Sequence, residues 1–567
     1  MNSLTLHRYP GLTQHELKAF APPFLPFVHR WQDMLAHTET VDKDSDTYEH
    51  LVLLRNVLEP LLKKSFETID DIKKTGHVAF MDLPLLYVPE TVVLKHETRE
   101  AGIFRSCRFS KGKPSHWDIA IDVVDWDGRR CGLYTKNWQV FEYRGLRALT
   151  SLEVSPLSGL ADQDKIRQEL VDRGRVYERL RGQYFMAFTD KLNDRVNERV
   201  MIDARAFYRD EILQGPVYAS LNESGRLTWA QAMNRYASSM VPAAYGVPVE
   251  LDVSDMTDEQ CLLAQPKVCC FKIEKKSWEF LDITKLHEIA FAEQAFERLV
   301  LAQDEKDLLL ALVDRGQFGE SKPFEDFIEG KGQGMIMLLC GPPGVGKTLT
   351  AESVAEHLRR PLYKLGASDL GIEARTVESN LSKALRLCAQ FGAVLLVDEA
   401  DVFMEARSTN NLQRNELVSV FLRLLEYYSG LMILTTNRMK SIDTAFESRV
   451  DITLSYENLT EADRAKVWRN FLSTLDPNVV DVGEADVTEL AKWNFNGRQI
   501  KSAIKTATIL AAKKRERLNA RHLDVVLNLR NKALGMMTCA DNVDGVGAEP
   551  VGAWMPARES YDIEYDP

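Results

Sequence analysis

One stretch constrains this chain more than any other: Gly341-Pro342-Pro343-Gly344-Val345-Gly346-Lys347-Thr348, which fits G-x-x-x-x-G-K-[ST]. Ahead of it, Met335 to Cys340 is a short apolar run of the size of a buried strand. After it, Leu349 to Leu358 is apolar at helical spacing. Strand, glycine-rich turn and helix form the context in which this pattern cradles phosphate. The glycines let backbone N–H groups turn inward around phosphate oxygens, and the start of the helix adds partial positive charge. Lys347 is placed to reach the β- and γ-phosphates, and the Thr348 hydroxyl to ligate Mg²⁺. Together with Leu349, these residues make the expected nucleotide-binding segment, with ATP and Mg²⁺ as the expected cofactors.

Farther along, Ala393 to Val397 is apolar and ends in Asp398-Glu399. That is the pattern of a buried parallel strand delivering acids to its C-terminal edge, where ligands sit in such sheets. Asp398 is the candidate to hold Mg²⁺ from its outer shell, alongside Thr348. Glu399 is placed to polarise the water that attacks the γ-phosphate. A third apolar run, Leu431 to Leu434, leads into Thr435-Thr436-Asn437-Arg438. A strand there would bring Asn437 beside the other strand ends, able to hold the attacking water. Arg449, in Phe446-Glu447-Ser448-Arg449, takes a surface ion pair as its default reading. From about 290 to 458 the pattern is α/β. From about 459 to 532 it is helical throughout, with Asn496-Gly497 opening one of the helices.

At 567 residues the chain exceeds one ordinary domain and suggests roughly three to four domain-sized units. The expected division is 1–80, a partly helical extension; 81–290, a strand-containing α+β domain; 291–458, the α/β core; 459–533, a helical lid; and 534–567, a disordered tail. Before residue 290, Leu51 to Lys63 reads as a helix that ends or kinks at Pro60. Leu85 to Val88 and Thr91 to Leu94 read as strands, and Ile166 to Leu180 and Leu286 to Ala302 as helices. Asp127-Gly128 between β-prone runs signals a hairpin; Asp125 and Asp127 lack the other positions of a calcium loop.

His15-Glu16 and His287-Glu288 lack the second histidine of a zinc helix. The basic run Lys513 to Arg517 reads as a solvated helix face rather than a nuclear signal. The eight cysteines have no framework spacing, which suits reduced thiols inside a cell. A net charge of −12 argues against nucleic acid as the main partner. No signal peptide is evident, and no apolar run approaches the roughly 20 residues of a membrane span. The expected setting is intracellular, cytoplasm or nucleus.

GPPGVGKT, VLLVDEAD, LTTNR, SRVD and NGRQI, in this order, resemble an AAA+ ATPase module. DTAFESRVDITLSY followed by LTEADRAKVW, and FNGRQIKSAI, are similar to a branch common in filamentous fungi, in which an uncharacterised domain precedes the ATPase. WDIAIDVVDWDGRRCGLY, LVDRGRVYERLRGQYF and RVMIDARAFYRDE resemble that upstream domain. The resemblance implies a P-loop α/β fold with a helical lid, and ATP hydrolysis. It implies that Asn437 positions water as a sensor, that Arg449 is a finger reaching a neighbouring subunit's nucleotide, and that Arg498 is the second sensor on the lid. A ring, typically a hexamer, and a protein client follow from it; the alternative is a nucleotide-dependent scaffold or switch with slow hydrolysis. The chain departs from the family twice. Ile452 stands where many members have a second arginine, and Ser368 to Thr376, at the pore loop, holds no aromatic residue, with Ile372 as a weak substitute. The adenine pocket is expected near Phe327 and Ile328.

Overall fold

The chain divides between Ala290 and Phe291 into two units. The computed structural model describes residues 20, 22–193, 195–210, 219–220, 255–314, 334–371, 373–407, 412–438 and 441–541. His15, Glu16, Phe327, Ile328, Ile372 and residues 542–567 therefore lie outside the described residues.

In the N-terminal unit a helix runs unbroken over Asp46–Thr75. Ser45 caps its first turn by accepting the Tyr48 N–H, and Gly76 closes it with an N–H to the Ile72 carbonyl at 2.8 Å. Of the two expected outcomes at Pro60, an end or a kink, the end does not occur. Pro60 sits on an exposed position, where water can reach the carbonyl its missing N–H leaves free. On the other face Leu51, Leu58 and Leu62 are buried against Phe27, Trp31 and Met34. Ile72, Val78 and Phe80 share a core with Val93, Phe104 and Ile121, so residues on both sides of position 80 pack as one body.

A six-stranded antiparallel sheet follows, in the order Ala219–Ser220, Cys131–Phe141, His116–Trp126, Glu100–Ser110, Val92–Lys95, Val154–Pro156. The Asp127-Gly128 signal closes the hairpin between His116–Trp126 and Cys131–Phe141, pairing Trp126 with Cys131. Asp127 Oδ1 accepts the N–H groups of Arg129 and Arg130, both at 2.7 Å, and Asp125 Oδ1 accepts the Tyr177 hydroxyl at 2.9 Å. These carboxylates are spent on a turn and a helix contact. Val123 and Val124, pointing to opposite faces, enter two different cores. The second core also takes the helix Gln163–Arg179 and a five-stranded antiparallel sheet ordered Ser277–Asp282, Lys267–Lys272, Arg195–Asp203, Gln183–Asp190, Leu286–His287.

Two expected elements are different. Leu85 and Leu86 belong to a short helix, Leu83–Leu86, with Pro84 in its first turn, rather than to a strand. Leu286–His287 is an edge strand on Phe188 and Ala187, and only a 3₁₀ turn at Glu293–Ala295 follows. Backbone pairing to the sheet overrides the helical spacing of 286–302 there.

The C-terminal unit alternates strands and helices: β1 (Met335–Cys340), α1 (Lys347–His357), β2 (Leu362–Leu365), α2 (Ala374–Phe391), β3 (Val394–Val397), α3 (Leu412–Glu426), β4 (Leu431–Thr436) and β5 (Ile452–Ser455). The five strands are parallel, in the order β2-β3-β4-β1-β5. Every residue of β3 and β4 is buried, as a sheet covered on both faces requires. Cys340 pairs with Thr436, and Val397 with Leu434, so the strands end together and their following residues share one edge.

Four further helices, α4 (Glu461–Leu472), α5 (Glu484–Ala491), α6 (Gly497–Lys514) and α7 (Ala520–Asp541), pack around Trp468, Ile500, Ala507 and Leu527. α7 continues into the segment expected to begin a tail at 534. Arg517, at the end of the basic run, gives its guanidinium to the carbonyl of Pro477 at 3.1 Å. Among the described residues, no helix is long and apolar enough to cross a membrane.

Candidate nucleotide site

The loop between β1 and α1 is made of conformations and distances that only glycine allows. Gly341 has φ 143°, and a Cβ there would meet the Tyr456 carbonyl oxygen at 2.2 Å. Tyr456, just past β5, donates its N–H to Cys340 at 2.7 Å, and its hydroxyl meets Thr350 Oγ1 at 2.7 Å. Thr350 in turn donates to the Gly346 carbonyl at 3.2 Å. Both ends of the loop are thus tied to one buried tyrosine. Lys347 is only 8 % exposed. Its Nζ donates to the carbonyls of Gly341 at 2.7 Å and Pro342 at 2.8 Å, and to Asn437 Oδ1 at 2.8 Å. Burial holds its pKa below the ordinary lysine value, and the charge of nearby Arg498 lowers it further.

Opposite the loop, β3 delivers the acids. Thr348 Oγ1 lies 3.4 and 3.3 Å from the two Asp398 oxygens. Thr435, in the last turn of pleat in β4, uses one hydroxyl twice: it donates to Asp398 Oδ1 and accepts the Glu399 N–H at 3.0 Å. That second bond holds Glu399 at φ 54°, a left-handed conformation that costs a residue with a side chain roughly 1–2 kcal/mol. The Glu399 side chain is left exposed at the sheet edge. Asn437 is fixed in the same way, because Asp401 accepts both its N–H, at 3.2 Å, and the Thr436 hydroxyl.

The structure therefore brings Gly341 to Thr348, Asp398, Glu399 and Asn437 to one edge, with Leu349 half-exposed in the first turn of α1. Arg498 comes next to Gly497 on α6; the Gly497 N–H donates to the Gly344 carbonyl at 2.9 Å, and the Arg498 charge acts on Lys347. Arg449 is engaged away from this edge. Its guanidinium bonds the Ala445 carbonyl at 3.0 Å and lies 3.8 Å from Glu426, at the end of α3. Sequence reasoning missed Thr435, Asp401 and Tyr456, which hold the site rather than face it. The signal for the first was the polar pair Thr435-Thr436 closing a strand whose other residues are apolar. It also missed Asn496, whose amide donates to the Pro343 carbonyl at 3.3 Å. Among the described residues no cluster of His, Cys, Asp and Glu is built to hold a metal by itself, and His287 faces Asn197 Oδ1 at 3.0 Å.

Comparison with known proteins agrees with this geometry. Residues 337–458 match the model of the ATPase family associated with various cellular activities (AAA), and residues 68–160 match a domain of unknown function, DUF7025. An uncharacterized AAA family ATPase of Sinorhizobium fredii is 32 % identical over 187 residues, covering 30 % of this chain and 55 % of that protein. An ATP-dependent zinc metalloprotease YME1 homolog of Caenorhabditis elegans is 27 % identical over 191 residues, covering 31 % and 25 %. A 26S proteasome regulatory subunit 4 homolog of Schizosaccharomyces pombe is 27 % identical over 201 residues, covering 32 % and 42 %. The chain thus spans about half, or less, of the length of these curated relatives. It carries an AAA-family ATPase domain in its C-terminal unit, preceded in its N-terminal unit by a DUF7025 domain.

Proposed function

We propose that this chain binds ATP with Mg²⁺, hydrolyses it, and assembles into a ring that remodels protein clients chosen by the N-terminal unit. One observation carries the reading. Lys347 opens α1 and Arg498 stands beside Gly497, whose N–H reaches the Gly344 carbonyl of the same loop at 2.9 Å, and among the described residues neither cation makes an ion pair. Two cations near the phosphate loop, neither closed in an ion pair, suit a polyphosphate.

Lys347, already near Asn437, would hold the β- and γ-phosphates, with Arg498 reaching them from the lid. Thr348 Oγ1 and Asp398 offer adjacent hard oxygens, the donor type Mg²⁺ takes. Mg²⁺ there supplies charge neutralisation on the transferring phosphoryl group. Glu399, exposed and fixed by Thr435, would take a proton from the attacking water, and Asn437 would orient that water. Arg449, engaged away from this edge, suits a role in a neighbouring copy's site, which makes hydrolysis depend on assembly. The YME1 and proteasome-subunit relatives, by their names ATP-dependent or proteasomal, support a protein client.

The test is ATP turnover per subunit against protein concentration, with Glu399→Gln as control. A rate that climbs with concentration and falls on the order of 10²–10⁴-fold in the variant supports an assembling ATPase. Unchanged turnover in the variant sinks the assignment of Glu399. The missing aromatic between Ser368 and Thr376 favours a second reading, a nucleotide-dependent switch. Negligible turnover at every concentration, with nucleotide bound, would choose it, provided partners distinguish the ATP- and ADP-loaded forms.

A further inference from the structure

The carbonyls of the phosphate loop are divided between two owners. Those of Gly341 and Pro342 accept from Lys347, within the loop's own helix. Those of Pro343 and Gly344 accept from the lid: Pro343 from the Asn496 side-chain amide at 3.3 Å, Gly344 from the Gly497 N–H at 2.9 Å. Asn496 also caps α6, its Oδ1 accepting the Gln499 N–H at 2.9 Å while Gln499 Oε1 takes the Asn496 N–H at 2.8 Å. One side chain therefore ends the lid helix with its oxygen and holds the phosphate loop with its nitrogen. The fit is close. Gly344 has φ 81°, and a Cβ there would meet the Asn496 side chain at 2.7 Å; a Cβ on Gly497 would meet the Gly344 oxygen at 3.1 Å. Arg498 is the next residue on α6.

We infer that Asn496 is a positioning residue that latches the lid to the phosphate loop, so that the loop's conformation and the placement of Arg498 are set together. Nucleotide entering the loop then bears directly on the lid, through two adjacent carbonyls. The inference rests on the nucleotide-binding reading above.

Asn496→Ser separates the two jobs of the side chain. Serine is as good a helix cap as asparagine, but its hydroxyl is too short to reach Pro343. The full-length variant should keep its thermal midpoint within about 2 °C, because the cap survives. Hydrogen exchange of the Gly497 N–H in nucleotide-free protein should speed up several-fold, and ADP affinity should fall roughly fivefold or more. With Arg498→Ala already in place, Asn496→Ser should cost distinctly less ADP affinity, because neighbours acting through one another do not add. Faster exchange with unchanged ADP affinity would leave the contact standing and overturn the coupling. Equal costs in both backgrounds would overturn the route through Arg498. Wild-type protein that binds no ADP would overturn the nucleotide reading and the latch's purpose with it, while the exchange result would still report whether the contact exists.

Discussion

The N-terminal unit and the strand ends of the C-terminal unit treat their charges in opposite ways. In the N-terminal unit, charged groups drawn into the fold close on each other. Lys272, with no exposed surface, sits 3.4 Å from Glu198, contacts Glu279, and lies over the Phe188 ring. Asp122 is shared between Arg105 and Thr135, and Glu100 pairs with Lys136. In the C-terminal unit, the charges at the ends of β1, β3 and β4 stay open. Lys347 is satisfied by neutral carbonyls and an amide, and Glu399 stands exposed on a strained backbone. A charge neutralised inside the fold needs no ligand; one held in place by neutral groups retains its full attraction for one. The direction of that architecture matters as well. Parallel strands ending in register concentrate their termini on one edge, whereas the antiparallel sheets scatter theirs over both.

The largest expected effect tests the open side. Arg449→Ala should lower turnover on the order of 10³-fold or more, with ATP still bound. Mixing it with Lys347→Ala protein should restore part of the activity, since an intact finger then faces an intact site across a subunit boundary. Full activity of Arg449→Ala alone, or no recovery in any mixture, would confine the chemistry to single subunits.

How much of this was legible in the sequence follows from the same contrast. Val394 to Val397 is uniformly apolar because both sheet faces are covered, and its end is marked by two acids, so strand, edge and chemistry could be read from one local run. The glycine loop is also local, since its backbone requires glycine at Gly341 and Gly344 whatever lies around it. What escaped was non-local. Asn496 looked like a turn residue, and only the approach of the lid reveals its amide on Pro343. Thr435 was only one of the polar residues after an apolar run until Asp398 and Glu399 appear on either side of its hydroxyl. In the N-terminal unit, Leu286 to Ala302 carried helical spacing, yet an available sheet edge captured its first residues. Pro60 was a local signal that does not end the helix, because its exposed position leaves the helix tolerant of it.

A smaller effect sharpens the contrast from the closed side. Lys272→Met should destabilise the N-terminal unit by roughly 3–5 kcal/mol, because Glu198 is then left buried without its cation. ATP turnover per folded subunit should be unchanged. Lys347→Ala should do the reverse, abolishing nucleotide binding while moving the thermal midpoint little. If Lys272→Met reduced turnover of protein shown to be folded, the division into closed and open charges would not hold.

The smallest effect concerns pH. His29 Nε2 donates to the Pro84 carbonyl at 3.1 Å. Burial, opposed by that bond and helped by the charge of Arg30, pushes its pKa down from 6.5 to about 4. A depressed folded value means the fold prefers the neutral ring. Its contribution is complete above pH 6.5 and is lost as pH falls from there toward 4, where the unfolded chain takes the proton first. The shift corresponds to about 3 kcal/mol at most, and the ring's partial exposure brings it down toward about 2. His29→Gln keeps an N–H donor for Pro84 but cannot titrate in this range. The N-terminal unit of the variant should therefore lose about 2 kcal/mol less stability between pH 7 and pH 4 than the wild type. Equal losses, followed by denaturant unfolding at both pH values, would mean that the ring is hydrated in solution. The same comparison read on the C-terminal unit's unfolding should give no difference, because His29 lies in the other unit.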